Sequence, residues 1–219
     1  VLAGDCPLLS QKTLEEAFAL HEREHNAVTV ISARLSDPYG YGRVIRDGQG
    51  GLLRIVEEKD ANEEQRRVQE INSSAYWFEV NALLEALPLL DNRNAKGEYY
   101  LTDAIEILLR GGRRAGVFEA LDSDEILGAN TQKQLLTLQK VAQAKVLERH
   151  LDNGVMITSD DGLVIGPDVV IGRGTVIHAG SRLTGDTRVG EDCLLGPAAV
   201  VEDSLLGIRV VKSFANEPV

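Results

Sequence analysis

The sequence predicts an α/β domain over residues 1–130, a linker helix over 131–154 and a parallel β-helix over 155–219. Three patterns support this division. Short apolar runs alternate with amphipathic stretches up to about residue 128, as in layered α/β domains. A long stretch of helix-forming residues then runs to the stop signal Asn153-Gly154. From residue 165 onward, an aliphatic residue recurs at every sixth position, which is the mark of a parallel β-helix.

The elements of the first domain are assigned by apolar periodicity and by cap and turn residues. Ser10 is a suitable N-cap for a first helix, and Thr102 for a later one. Asp47-Gly48 marks the tip of a hairpin. Strands are expected at 27–35, 52–60 and 70–80, a short charged helix after Asp60, and a helix at 81–89.

The first residues, VLAGDCPLL, predict a strand that ends at an acid. Val1 and Leu2 are apolar, and Pro7 prevents the strand from continuing as a central one. In open α/β sheets, ligands and metals bind at the carboxyl ends of parallel strands. Asp5 is therefore a candidate Mg²⁺ ligand, and a cap of the following turn is an equally good interpretation.

Four further positions attract attention, each with a structural alternative. Gly42 of YGYGR allows the backbone to approach a ligand, although a plain turn explains it more simply. Glu57 follows apolar residues, and either it or Glu58 must point inward or into a cleft. Asn72 lies in an apolar strand, where a buried amide needs hydrogen-bond partners. Asn130 is most simply the N-cap of the next helix, or part of the approach to it.

The six-residue period defines the last third of the chain. Three hexapeptides form one coil of a β-helix, with the aliphatic side chains inside. The next aliphatic residue after the series, Leu206, comes one position early, so we expect the register to slip there. The in-phase positions are Ile165, Ile171, Ile177, Leu183, Val189, Leu195 and Val201.

Composition excludes several classes of function. The formal net charge of −11 argues against nucleic acid or an anionic membrane surface as partner, but not against a phosphorylated substrate. Cys6 and Cys193 are too far apart in sequence and character to indicate a disulfide framework, so a cytoplasmic location is expected. No apolar run approaches 18 residues, so no membrane insertion is expected. No Ser/His/Asp or Cys/His arrangement is legible.

The order of several motifs resembles a known family. GDCPLL, GYGRV, IVEEKDANEEQRRVQEINSS, GEYYLTD and GANTQKQL are similar to the second half of the uridyltransferase domain of bifunctional N-acetylglucosamine-1-phosphate uridyltransferases / glucosamine-1-phosphate N-acetyltransferases. The resemblance implies a Rossmann-like nucleotide-diphospho-sugar transferase domain followed by a left-handed β-helix. It also implies Mg²⁺ as cofactor, UTP and N-acetylglucosamine 1-phosphate as substrates, and a homotrimer formed through the β-helix.

The resemblance implies roles for individual residues. Asp5 and Asn130 would be catalytic residues that hold Mg²⁺ near the phosphates, and Ala3 and Gly4 would lie along the nucleotide-sugar. A sugar 1-phosphate oxygen would attack the α-phosphorus of UTP, and pyrophosphate would leave. That reaction depends on positioning and charge neutralisation. The N-acetylglucosamine moiety would be held by the backbone of Gly42, the side chain of Glu57 and the amide of Asn72.

Two departures from the family pattern affect the expectations. Asn72 is followed by Ser73-Ser74, where the family has a small residue and then glycine. No segment of the 219 residues matches the family's glycine-rich nucleotide loop or its acetyltransferase site, so we expect a fragment, inactive by itself. A nucleotidyltransferase for another sugar phosphate and a non-catalytic β-helical assembly module remain as alternatives.

Overall fold

The computed structural model describes residues 1–129, 131–203 and the backbone of 205–206. The chain forms two compact units, Val1–Leu138 and Gln139–Val219. The first unit is built on a five-stranded sheet and the second on short parallel strands. This arrangement confirms the predicted α/β domain and the β-helix.

The sheet of the first unit has the strand order β3-β2-β4-β1-β5. Strand β1 is parallel to β5, and the other neighbours are antiparallel. The predicted strands are confirmed, except that the strand expected at 52–60 ends at Val56 and the chain then turns. The strands are β1 (Val28–Arg34), β2 (Arg43–Arg46), β3 (Leu52–Val56), β4 (Glu70–Phe78) and β5 (Ala115–Glu119).

The prediction that Val1 and Leu2 form a strand of a parallel sheet is wrong. Leu2 makes a single antiparallel bridge to Ala75 of β4. The Tyr76 amide donates to the Val1 carbonyl at 2.9 Å, and the Ala3 amide donates to the Ser74 carbonyl at 3.2 Å. Because β4 offers its free edge groups here, the first residues pair with it in the opposite direction.

Helices cover both faces of the sheet. The Ser10 hydroxyl accepts the Thr13 amide at 3.1 Å, which confirms Ser10 as an N-cap. Thr102 makes no such bond, so its predicted capping role is wrong; its hydroxyl donates to Glu57 instead. The helices are α1 (Gln11–Glu24), α2 (Glu63–Arg66), α3 (Val80–Ala86), with a 3₁₀ turn at Leu87–Leu89 after it, and α4 (Asp103–Arg110).

Alternate side chains of β1 pack into two hydrophobic cores, one on each face of the sheet. Val28 and Val30 pack with residues of α3 and α4 on one face of the sheet. Ile31 and Ala33 pack on the other face with Ala17 of α1. All of these side chains are buried, as predicted for a strand that is apolar on both faces.

A long helix follows, α5 (Gln132–Asp152), within the range 131–154 predicted to be helical. The Thr131 hydroxyl accepts the Gln134 amide at 3.2 Å. Thr131 therefore takes the N-cap role that the sequence suggested for Asn130, because its short hydroxyl reaches the orphan amides of the first turn. Asn130 itself lies outside the described residues.

The second unit contains three parallel sheets, ordered β13-β10-β7, β14-β11-β8 and β12-β9-β6. Val164 pairs with Arg182 and Arg182 with Val200, so one coil takes 18 residues. The strands are β6 (Met156–Ile157), β7 (Val164–Ile165), β8 (Val170–Ile171), β9 (Val176–Ile177), β10 (Arg182–Thr184), β11 (Arg188–Val189), β12 (Leu194–Leu195), β13 (Val200–Glu202) and β14 (Leu205–Leu206).

The hexapeptide interpretation is confirmed in detail. The seven in-phase aliphatic side chains are at most 7% exposed and line the interior of the coils. Leu206 pairs with Val189, one residue short of a full coil, so the predicted slip occurs. Asp203 lies between β13 and β14, where the coil is shortened, and its backbone is left-handed (φ 48°).

Among the described residues, no helix has the length and apolar character needed to cross a membrane.

Candidate functional site

A cleft of about 240 Å³ opens beside β4 and the end of β3. Three of the predicted site residues, Ala3, Glu57 and Asn72, line it together. They come from parts of the chain about 15 to 70 residues apart in sequence, which the sheet brings together. The full lining is Val1, Ala3, Glu57, Asn72, Ser74, Tyr76, Tyr99, Tyr100, Leu101 and Thr102.

Glu57 is the carboxylate of this cleft, while Glu58 is held in an ion pair. The Glu57 Oε1 atom accepts the Thr102 hydroxyl at 3.5 Å. Glu58 instead accepts the Arg43 guanidinium at 2.7 Å and the Gly40 amide at 3.2 Å. Since Glu57 and Glu58 follow β3 directly, the sequence expectation that one of them enters a cleft is met by Glu57.

The environment of Glu57 disfavours its charge. Burial raises the pKa of Glu57 above its ordinary value, and the carboxylates of Asp60 and Asp103 act in the same direction. Lys96 and the Thr102 hydroxyl oppose this shift without cancelling it. A buried carboxyl group whose pKa is raised in this way is typical of a functional site.

Gly42 connects Glu57 and Asn72, two of the polar residues that line the cleft. The carbonyl oxygen of Gly42 accepts a hydrogen bond from the backbone N–H of Asn72 at 2.9 Å. A Cβ at position 42 would lie 3.2 Å from Glu57 Oε1 and 3.2 Å from Ile55 Cγ2, so a larger residue would push one of these side chains aside by a few tenths of an ångström. Gly42 thus stands beside both Glu57 and Asn72.

A β-bulge in β4 presents Asn72 to the cleft. The pairing with β1 shifts between Val30 and Ser32, opposite residues 72–76. The Ser73 hydroxyl donates to the Ile31 carbonyl at 2.6 Å and accepts the Ala75 amide at 3.2 Å, which fills the broken ladder. Ser74 adopts φ 59°, a left-handed conformation that favours glycine.

Asp5 and Gly4 are exposed and are not among the residues that line the cleft. The Asp5 carbonyl accepts the Ala129 amide at 3.1 Å, so residue 129 lies against the segment that carries the predicted metal ligand. Gly128 also lies beside this segment, since a Cβ there would be 3.8 Å from Asp5 Oδ2. The predicted second ligand, Asn130, lies outside the described residues.

The donor set fits a cation that takes most of its ligands from substrate and water. Within residues 1–129 and 131–203, no group of three or more His, Cys, Asp or Glu side chains could hold a metal ion. Asp5 offers one exposed carboxylate, a hard oxygen donor. Mg²⁺ sites with substrate phosphates commonly use one or two protein carboxylates, so Asp5 suits such a site.

Seven of the ten residues that line the cleft are not among the predicted site residues. Tyr99, Tyr100 and Leu101 precede α4, and Tyr76 lies four residues after Asn72 on β4. The signal available was GEYYLTD itself, because two adjacent aromatic residues before a helix are unusual in a polar loop. From the sequence alone, the motif predicts only the start of a helix and gives its tyrosines no role.

The side chains of the cleft are suited to binding polar groups. Its carboxylate and carboxamide can accept and donate hydrogen bonds to hydroxyl and amide groups, and its tyrosines can cover apolar faces. Nearby, burial and then the charge of Asp5 raise the pKa of the Cys6 thiol to about 11, so Cys6 stays protonated at neutral pH. The arrangement is typical of a site that positions a neutral polyhydroxylated group.

The sequence model of the nucleotidyl transferase family matches residues 1–128, more than half of the chain. The chain belongs to the nucleotidyl transferase family. The matched region covers the five-stranded sheet and every residue that lines the cleft.

Relatives of this nucleotidyl transferase chain extend the likeness into the β-helix. It is 45% identical to the bifunctional protein GlmU of Caldanaerobacter subterraneus subsp. tengcongensis, over 94% of this chain and 45% of that protein. It is 44% identical to bifunctional protein GlmU of Enterococcus faecalis over 96% of the chain and 46% of that protein. A third, from Lactobacillus delbrueckii subsp. bulgaricus, is 41% identical over 100% and 48%. The chain thus spans about half the length of the curated relatives it matches.

Proposed function

We propose that this chain carries the sugar-binding part of a sugar-phosphate nucleotidyltransferase that makes UDP-N-acetylglucosamine. In the reaction, an oxygen of N-acetylglucosamine 1-phosphate attacks the α-phosphorus of UTP and pyrophosphate leaves. The observation that carries the proposal is the joining of Ala3, Glu57 and Asn72 in one cleft. Membership in the nucleotidyl transferase family and the likeness to proteins named GlmU support it.

The proposed roles follow from donor and acceptor chemistry. Glu57 accepts hydrogen bonds from sugar hydroxyls, which also compensates a charge that burial disfavours. Asn72 hydrogen-bonds the acetamido group, and the Gly42 backbone and Ala3 lie alongside the sugar. Tyr99 covers an apolar face of the ring, since its side chain is 68% exposed at the cleft. Together these contacts hold the sugar 1-phosphate in place for attack.

Asp5 and Asn130 would hold Mg²⁺, with Gly4 beside the nucleotide-sugar. When bound, the ion would neutralise charge on the phosphates. The contribution of the chain itself is an open, exposed carboxylate at Asp5, anchored through its backbone to Ala129.

The test is direct binding of the sugar phosphate by isothermal titration calorimetry. Glu57→Gln keeps the shape of the side chain and removes its charge, and Glu63→Gln removes an exposed charge on α2. We expect N-acetylglucosamine 1-phosphate to bind, Glu57→Gln to weaken binding about tenfold or more, and Glu63→Gln to leave it unchanged. Equal binding by Glu57→Gln would remove Glu57 from the site.

A substrate panel separates the proposal from its nearest alternative. Glucose 1-phosphate lacks the acetamido group, and glucosamine 1-phosphate lacks its acetyl part. If the cleft binds N-acetylglucosamine 1-phosphate, both analogues bind more weakly, because the side-chain carboxamide of Asn72 loses its hydrogen-bond partner on the acetamido group. Tighter binding of glucose 1-phosphate would favour a nucleotidyltransferase for another sugar.

We also propose that the β-helix holds three copies of the chain together, in the homotrimer that the family resemblance implies. Support comes from the outward side chains of sheet β12-β9-β6, which are all apolar: Met156, Val176 and Leu194. The other two sheets place Arg182 and Arg188 at their middle strands. Sedimentation of the chain and of Leu194→Glu tests this, and a trimer that persists in Leu194→Glu would exclude this face.

A further inference from the structure

The carboxamide of Asn72 is fixed at both of its polar atoms. The backbone amide of Ser74, which can only donate, lies 3.2 Å from one of them, so that atom is the carbonyl oxygen Oδ1. The Nδ2 atom consequently faces the Tyr76 hydroxyl, to which it donates at 2.7 Å. These two contacts exclude the flipped amide, which would place an N–H against the N–H of Ser74.

The position of the Tyr76 hydroxyl is set by the core of the sheet. Tyr76 is 5% exposed, pairs with Val30 of β1 and packs its ring against Phe78 with a centroid distance of 5.7 Å. Burial raises the pKa of Tyr76, so its oxygen carries a proton throughout the physiological range. The hydroxyl is therefore a rigid, neutral acceptor at the edge of the cleft.

Each of these bonds uses only part of the carboxamide. A carboxamide has two N–H donors and two lone pairs on its oxygen. Tyr76 takes one donor and the Ser74 amide takes one lone pair, which leaves one donor and one acceptor for a ligand. Asn72 is only 4% exposed, so bulk water competes little for these free groups.

We propose that Tyr76 is a positioning residue that orients the Asn72 carboxamide toward the N-acyl group of the sugar phosphate. This inference rests on the proposed function and adds a residue to it. The Tyr76 hydroxyl holds Nδ2 so that the remaining N–H and lone pair are presented together, in the pattern that complements a secondary amide. Without the hydroxyl, the Ser74 backbone amide still holds Oδ1, but Nδ2 loses its partner and the plane of the carboxamide gains rotational freedom.

The test compares Tyr76→Phe with Tyr39→Phe in the full chain. Tyr76→Phe removes the one oxygen that accepts Asn72 Nδ2 and keeps the ring in the core. Tyr39→Phe removes a hydroxyl from a residue that is 78% exposed and does not line the cleft. Binding of N-acetylglucosamine 1-phosphate is measured by calorimetry, and the Asn72 side-chain amide is followed by ¹⁵N NMR, assigned by its loss in Asn72→Asp.

We expect Tyr76→Phe to raise the dissociation constant about tenfold, and to shift and broaden the Asn72 amide resonances before ligand is added. Tyr39→Phe should do neither. A selective effect is expected too: binding of glucose 1-phosphate, which has no acyl group, should change less than that of the N-acetyl sugar. A merely structural role would weaken both sugars alike.

Three results would contradict the inference, and they are distinguishable. If the unaltered chain does not bind the sugar phosphate, the proposed function fails and this inference fails with it. If the chain binds and Tyr76→Phe binds equally well, the inference alone fails. It also fails if Tyr76→Phe weakens both sugars alike, which would assign Tyr76 a packing role only.

Discussion

The side-chain amide of Gln143 on α5 pairs with both backbone groups of Ile165 on β7. Its Oε1 accepts the Ile165 amide at 3.3 Å, and its Nε2 donates to the Ile165 carbonyl at 3.4 Å. Strand β7 is the outermost strand of its sheet, and β10 uses its other edge. The carboxamide therefore stands where the strand of another coil would pair, and it covers an open edge of the β-helix.

Replacing Gln143 should loosen this edge. We expect Gln143→Ala to speed hydrogen exchange of the Ile165 amide and to destabilise the second unit by about 1–2 kcal/mol, because two partly buried backbone groups lose their partners. NMR-detected exchange measures the effect. Gln139→Ala, an exposed position on the same helix, is the control. Unchanged exchange at Ile165 in Gln143→Ala would show that water replaces the side chain at no cost.

Position 74 should tolerate glycine better than a β-branched residue. Ser74 has φ 59°, so valine there should destabilise the first unit by about 1–2 kcal/mol, whereas glycine should be neutral or stabilise it by up to about 1 kcal/mol. Urea unfolding followed by the fluorescence of Trp77, the one tryptophan of the chain, reports on this unit. Ser74→Ala separates loss of the hydroxyl from backbone strain. A valine variant as stable as the serine protein would contradict this account.

Cys6 should react slowly although it is partly exposed. With a thiol pKa of about 11, only about one molecule in a thousand carries the thiolate at pH 8. The rate of alkylation by iodoacetamide should therefore keep rising with pH toward 11, and Asp5→Asn should increase the rate at pH 8. Mass spectrometry of the Cys6 peptide measures it, with the 2%-exposed Cys193 as an internal reference. A plateau near pH 9 would refute the raised pKa.

Ionised Glu57 should lower the free energy of unfolding at neutral pH. Burial raises the pKa of Glu57 in the folded state above its value in the unfolded chain, so the ionised form destabilises the protein above that pKa. Glu57→Gln should thus raise the melting temperature at pH 7, and the gain should vanish below about pH 4, where both states are protonated. Glu63→Gln is the matched control. A lower melting temperature for Glu57→Gln at pH 7 would reverse the sign and reject the argument.

Periodicity in the sequence was enough to predict the β-helix, since Ile177 and Leu183 occupy interior positions that recur at fixed spacing. Pairing over long distances was not predictable in this way. The antiparallel bridge from Leu2 to Ala75 depends on where the free edge of β4 lies, and nothing local to Leu2 encodes that.

The same contrast between local patterns and long-range contacts applies to the candidate site. Glu57 and Asn72 could be predicted because a polar residue in or next to an apolar strand stands out. Thr102 has the residue type and position of an N-cap, but its hydroxyl bonds Glu57, which is 45 residues away in sequence and which no local pattern indicates. Tyr76 looked like an ordinary alternating strand residue, and only the position of its hydroxyl beside Asn72 reveals a further role.

The bulge in β4 couples the architecture of the cleft to its chemistry. The Ser73 hydroxyl satisfies the Ile31 carbonyl and the Ala75 amide, but the Ser74 amide depends on Oδ1 of Asn72, a side chain that lines the cleft. A change at position 72 would therefore alter the lining of the cleft and the local backbone at once. Such a position is constrained twice, because a new side chain there must suit both the surface of the cleft and the turn of the strand.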